Sequence, residues 1–223
     1  MGDIAEASVL EIRRRLLCWS HEHGRQFPWR RTRDPYRVLL AEKLLQQTSA
    51  RQSLVQAYDD LLAAYPTPAA LAGGDVEWIQ ATIRPLGLHY RAQELVVLAE
   101  EISEKHCGHV PRDLESLLAL PGVGDYTARA VLCVAFGEDV PLVDTNIARI
   151  LRRLAALPGE VPANPARKTH LVELASSLAP VGQSREFNLA MLDLGALVCK
   201  SSRPECSRCP LSPVCQYGIA STE

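Results

Sequence analysis

The chain reads as an all-α protein, and three observations carry that reading. Apolar residues recur at three-to-four spacing in segment after segment, the signature of helices with one buried face. Prolines and glycines fall between those segments, where they break helices and form turns. No stretch alternates apolar and polar residues long enough to need a strand.

The helical segments, in order, are 4–20, 37–50, 53–65, 75–84, 90–105, 113–119, 126–136, 145–155, 167–178 and 186–198. Pro28 and Pro35 separate the first two, and Pro66, Pro68 and Gly73-Gly74 precede the fourth. Pro85 and Gly87 interrupt before the fifth, and Pro111, Pro121, Pro141, Pro158 and Pro162 punctuate the rest. About ten short helices are expected, without a repeat or a low-complexity linker.

At 223 residues, the chain can form one large domain or two small lobes with a good core. A hydrophobic content of 47% with 22% charged residues is ordinary for a soluble globular protein. No apolar run approaches the roughly 20 residues of a membrane helix, so no membrane partner is expected. The first residues carry early acids and no apolar core before a cleavage site, unlike a secretory signal. Glu6 stands where a myristoylation signal wants Ser or Thr. A reducing cytoplasm is the expected compartment. A net charge of −2 argues against non-specific coating of nucleic acid. Basic residues do cluster locally, at Arg30, Arg31, Arg33 and Arg37, at Arg149, Arg152 and Arg153, and at Lys200, Arg203 and Arg208. Each cluster alone reads equally well as a solvated face.

Four of the seven cysteines crowd into one run, Cys199, Cys206, Cys209 and Cys215, with the spacing C-x6-C-x2-C-x5-C. A disulfide framework spreads its cysteines, whereas a metal site gathers them. Four thiolates suit zinc or an iron–sulfur cluster, and the spacing, with a single C-x2-C pair, leaves both open.

The segment Leu120-Pro121-Gly122-Val123-Gly124-Asp125-Tyr126-Thr127 lies between two helical stretches. Its glycines allow a tight turn, and the next helix begins near Asp125 or Tyr126 with outward amides. Amide donors and helix dipole together favour an anion such as a phosphate. A helix–hairpin–helix for DNA backbone binding is the expectation, against a plain connector.

With these features the chain resembles the helix–hairpin–helix DNA glycosylases, the superfamily of endonuclease III and the adenine mismatch glycosylases. The likeness runs from Phe27 to Cys215 through Phe27-Pro28-Trp29-Arg30, Asp34-Pro35-Tyr36, Leu45-Gln46-Gln47-Thr48, the hairpin, Val143-Asp144, Phe187-Asn188 and Leu194-Gly195-Ala196. It implies a [4Fe–4S] cluster on Cys199, Cys206, Cys209 and Cys215. It also implies two helical lobes with the active site in the cleft between them. Residues 25–135 would form a six-helix barrel lobe including the hairpin at 113–131, and 1–24 with 136–223 the cluster lobe. The implied partner is double-stranded DNA with a mismatch, bound by a monomer whose product passes to an AP endonuclease.

Asp144 opens a helical stretch and, read plainly, is an N-cap. The resemblance matches it to the family's catalytic aspartate, where an ionised carboxylate stabilises positive charge at C1′ as the base leaves and orients water. Tyr126 stands 18 residues before Asp144, where bifunctional relatives carry the Schiff-base lysine. A phenol cannot form that imine, and no lysine lies between the two positions. The expectation is a hydrolytic enzyme without strong lyase activity, and tyrosine here is similar to the thymine (T:G) mismatch glycosylases.

Glu42 aligns with the glutamate that adenine glycosylases use as an acid, and in a thymine pocket could accept from N3–H or hold water. Ala50 and Leu189 match the thymine-type pattern, replacing a valine and a glutamine. Gln46-Gln47 reads as adenine-type, and one of the pair would wedge into the gap left by the flipped base. Pro121, Gly122, Val123, Gly124, Thr127 and Arg30 are the expected DNA-binding residues. The chain stops eight residues after Cys215, which disfavours the 8-oxoguanine-reading domain of typical adenine glycosylases. Thymine or uracil opposite guanine is the leading substrate. A short adenine glycosylase acting on A:G or A:8-oxoguanine is the alternative, and a non-catalytic iron–sulfur mismatch-binding protein is the alternative from another class. Lys200, Arg203 and Arg208, between the cluster ligands, are expected to face the DNA backbone together.

Overall fold

The computed structural model describes residues 6–46 and 52–220, and among these there is no β-strand. The chain divides into two compact units, with boundaries after Arg25 and after Phe136.

The first helix, α1 (Glu6–His23), precedes the unit from Gln26 to Phe136, which holds α2 (Pro35–Leu45), α3 (Gln52–Ala64), α4 (Pro68–Ala72), α5 (Val76–Ile83), α6 (Ala92–Lys105), α7 (Leu114–Ala119) and α8 (Asp125–Val134). Helix starts follow from capping chemistry. Asp34, Thr67, Asp75 and Asp113 each accept a backbone N–H of the first turn, and Pro35 and Pro68 stand at the first helical position. α2 packs on α3 and α8, α4 and α5 pack on α6, and α7 pairs with α8. Leu39, Leu44, Leu54, Leu61, Ile79, Ile83 and Ile102 fill the interior. Trp29 is buried, stacked on Phe27 at 4.8 Å and edge-on to Tyr58 at 5.3 Å.

The other unit joins α1 to everything after Phe136: α9 (Thr145–Leu154), α10 (Thr169–Leu178), α11 (Ser184–Leu197) and α12 (Gln216–Ala220). α1 lies against α10 and α11, and α9 lies against α10, α11 and α12. Two polar ties fasten α1. Arg13 donates to the carbonyls of Ser177, Leu178 and Ala179, closing the C-terminal end of α10. Asp193, 1% exposed, accepts from Arg25 N at 2.9 Å and Arg25 Nε at 2.6 Å.

Two short helices, α4 and α12, lie outside the ten expected segments. The expected helix at 37–50 stops at Leu45, because Gln46 turns to ψ 121; positions 47–50 lie outside the described residues.

Candidate active site

In the Gln26–Phe136 unit, the hairpin between α7 and α8 closes through Leu120. Val123 N donates to Leu120 O at 3.1 Å, and Ala128 N donates to Gly124 O at 2.9 Å. Gly122 has φ +67, and a Cβ there would collide with Lys43 Nζ, so only glycine fits on both counts. Gly122 and Gly124 are exposed, whereas Val123 and Thr127 are buried. Thr127 therefore does not face a ligand with its hydroxyl; it accepts from Gln46 Nε2 at 3.2 Å. Gln46 Nε2 also lies 3.3 Å from Gly122 O, so the side chain expected to wedge into DNA is turned onto the hairpin in this structure. Pro121 and Tyr126 are half-buried, Tyr126 in the first turn of α8, and Glu42 is half-buried on α2. Arg30 sits over the Phe27 ring, 5.5 Å from its centroid. Gln47 and Ala50 lie outside the described residues.

In the other unit, Asp144 is the N-cap of α9. Its Oδ1 accepts Ile147 N at 2.7 Å, and its Oδ2 accepts Asn146 Nδ2 at 2.8 Å. Asn146 Oδ1 accepts Arg149 Nη2 at 2.9 Å, and Arg149 then reaches Gly195 O at 3.0 Å and Cys199 O at 2.9 Å. A Cβ on Gly195 would meet Asn146 Cβ at 2.8 Å, so α11 approaches α9 closely at that point. The strand-like approach to Asp144 is clamped from α11: buried Asn188 accepts Leu142 N at 3.2 Å and donates to Val140 O at 3.0 Å. Leu189, next to it, is half-buried.

One turn beyond Arg149, Arg153 Nη1 donates to Cys199 Sγ at 3.3 Å and to Lys200 O at 2.7 Å, and Nη2 donates to Ser201 O at 2.9 Å. Its guanidinium lies 5.0 Å from the Tyr217 ring centroid. Cys199, Cys206, Cys209 and Cys215 line one small cavity, with Arg153, Val198 and Tyr217 also on its wall. Among the described residues no three ligand-type side chains converge tightly enough for one metal ion. Four cysteine side chains around one cavity are a donor set that suits an all-sulfur metal or iron–sulfur centre. Burial pushes the Cys209 thiol up to about 11, and the three other cysteines push it the same way.

Two of the three basic clusters make contacts within the protein. Arg149, Arg152 and Arg153 serve internal carbonyls. Lys200 and Arg208 do not stand free beside Arg203; both bridge to Glu205, at 2.5 and 2.6 Å. Asn146, Arg149, Arg153, Asn188 and Lys43 were not singled out in sequence for these contacts. The i, i+4 spacing of Arg149 and Arg153 was the available signal, since it puts both on one helix face.

Residues 40–175 match the HhH-GPD superfamily of base excision DNA repair proteins. The chain belongs to that superfamily. Among its members, it is 40% identical to a thymine-DNA glycosylase of Aeropyrum pernix, over 92% of this chain and 93% of that protein. It is 39% identical to a thymine/uracil-DNA glycosylase of Pyrobaculum aerophilum, over 91% and 89%. The human adenine DNA glycosylase is 36% identical over 96% of this chain and 40% of its own length. The fold matches that of a thermostable thymine-DNA glycosylase with a TM-score of 0.88 and 33% identity, covering 98% of this chain and 100% of that one. The all-α HhH-GPD fold and the DNA glycosylase class expected from sequence thus stand.

Proposed function

We propose that this HhH-GPD protein hydrolyses the N-glycosidic bond of thymine or uracil opposite guanine in duplex DNA, leaving an abasic site. The observation that carries the chemistry is the seat of Asp144. Ile147 N and Asn146 Nδ2 hold its two oxygens, so the carboxylate is fixed in direction as well as position. An oriented carboxylate beside the sugar stabilises the positive charge that grows at C1′ and aligns water for attack. The likeness to proteins named thymine- and thymine/uracil-DNA glycosylases supports the substrate.

Tyr126 supports hydrolysis without strand cleavage, because a phenol cannot open the sugar through an imine. Its aromatic face and hydroxyl suit packing against a flipped pyrimidine. The exposed glycines of the hairpin suit a DNA phosphate, Glu42 a pyrimidine N3–H, and Leu189 the pocket wall. Cys199, Cys206, Cys209 and Cys215 would hold the [4Fe–4S] cluster. That cluster supplies a cationic core that ties the loop from 199 to 215 into one body. Arg153 orients the loop through the Cys199 sulfur and the carbonyls beside it.

The test uses Asp144→Asn on a labelled T:G duplex, with borohydride present in a parallel reaction. The variant should bind as wild type does, release no base, and neither protein should form a borohydride-trapped adduct. Base release undiminished in Asp144→Asn, or a trapped adduct with wild type, overturns this mechanism. Binding by wild type without release from any mismatch would favour a pure binding protein.

A further inference from the structure

The C-terminal turn of α2 hides a lysine. Lys43 is 1% exposed, lying on the helix face shared with Leu39 and Leu40. Its Nζ donates to Gly122 O at 2.9 Å. The facing acid, Glu94 on α6, is 3.9 Å away and half exposed, a weak partner. The other facing charge is a cation: Arg91, 6% exposed, donates to Gln46 O at 2.9 Å and to Lys43 O at 3.4 Å. Burial lowers the lysine's pKa below its ordinary value, Glu94 opposes that, and Arg91 adds to it. A charge so poorly paired costs folding free energy. Its presence calls for a role other than stability.

What Lys43 touches is the hairpin. The Gly122–Val123 peptide is fixed at both ends, its carbonyl by buried Lys43 at 2.9 Å and more loosely by Gln46 Nε2 at 3.3 Å, and its N–H by Leu120 O. The amides of Gly122 and Gly124 take no part in the bonds that close the turn, and α8 starts at the next residue. A positive charge behind such amides adds to the field of the helix N-terminus for any anion in front.

We infer that Lys43 is a positioning residue for duplex binding: it fixes the Gly122–Val123 peptide from inside and backs the hairpin with positive charge where a DNA phosphate docks. The inference rests on the hairpin being a DNA-binding element. Two substitutions separate its parts. Lys43→Gln keeps a donor for Gly122 O without the charge, and Lys43→Met removes both.

The measurement is fluorescence anisotropy with an undamaged duplex over a KCl series, beside thermal melting and the single-turnover rate at saturating enzyme. Lys43→Met should bind about tenfold more weakly, the scale of one lost charge-assisted contact. Lys43→Gln should fall between it and wild type. The loss should appear in Kd more than in the saturated rate, and Tm should hold or rise because a buried charge is gone. Lys43→Met binding within about twofold of wild type, or weakening only in step with a fall in Tm, overturns the inference. Lys43→Gln binding as tightly as wild type overturns its electrostatic half. Should Lys43→Met not fold, Lys43→Gln decides by the same two readouts. Failure of wild type to bind any duplex instead sinks the DNA-binding reading itself.

Discussion

Arg149 Nε donates to the Cys199 carbonyl at 2.9 Å, while its Nη2 holds Asn146, which in turn holds Asp144. The first residue of the cysteine loop and the proposed catalytic carboxylate are thereby two ends of one hydrogen-bonded chain on α9 and its neighbours. Arg149→Ala removes the middle of that chain and leaves Gly195 O and Cys199 O without this donor. It should slow base release by tenfold or more while costing about 1–3 kcal/mol of stability. Single-turnover kinetics at saturating enzyme, with Tm alongside, checks both.

The cysteine loop gives a second expectation. Cys206→Ser removes one of four sulfurs around a shared cavity. The purified variant should lose the visible absorbance of an iron–sulfur chromophore, and the unit that joins α1 to α9–α12 should melt earlier. Full iron content with unchanged melting would contradict the assignment of this site.

Asp193→Ala removes the buried partner of Arg25 and leaves its guanidinium and backbone N–H without that acceptor. Removing one partner of such a pair typically costs about 3–5 kcal/mol, and Arg25 is part exposed, which places the loss toward the lower end. A fall in Tm without a change in metal content would mark the tie between α1 and α11 as purely structural.

Acid stability has a specific contributor. Gly182 N, at 3.0 and 2.9 Å, and then Ser184 hold the Asp139 carboxyl below its ordinary 3.8. A depressed carboxyl contributes stability above its unfolded value and loses it as pH falls through the folded one. Asp139→Asn should therefore melt below wild type near neutrality and converge with it below about pH 4. Parallel Tm-versus-pH curves would contradict that origin.

Much of this architecture is legible in the chain itself. Helical periodicity marks most helices, Asp caps sharpen the starts of α2, α5 and α7, and Asp144 is readable as an N-cap from its place before Ile147–Leu154. α4 escapes periodicity because five residues span little more than one turn, although Thr67-Pro68 is a start signal. The early end of α2 depends on Arg91, 45 residues away, taking the Gln46 carbonyl. Lys43, Asn188 and Arg149 acquire their roles from partners 79, 46 and 50 residues away. Local pattern cannot register such pairings. Glu205 is the same case at short range, since two flanking cations could equally face a phosphate or fold back on it.

The most direct test of the central claim is a single-turnover assay of the wild-type protein on end-labelled T:G, U:G, A:G and A:8-oxoguanine duplexes, each with and without alkali. Cleavage at T and U opposite G that appears only after alkali is the predicted result. It would establish a hydrolytic pyrimidine mismatch glycosylase. Release of adenine in preference to T or U, or strand cleavage without alkali, would contradict it.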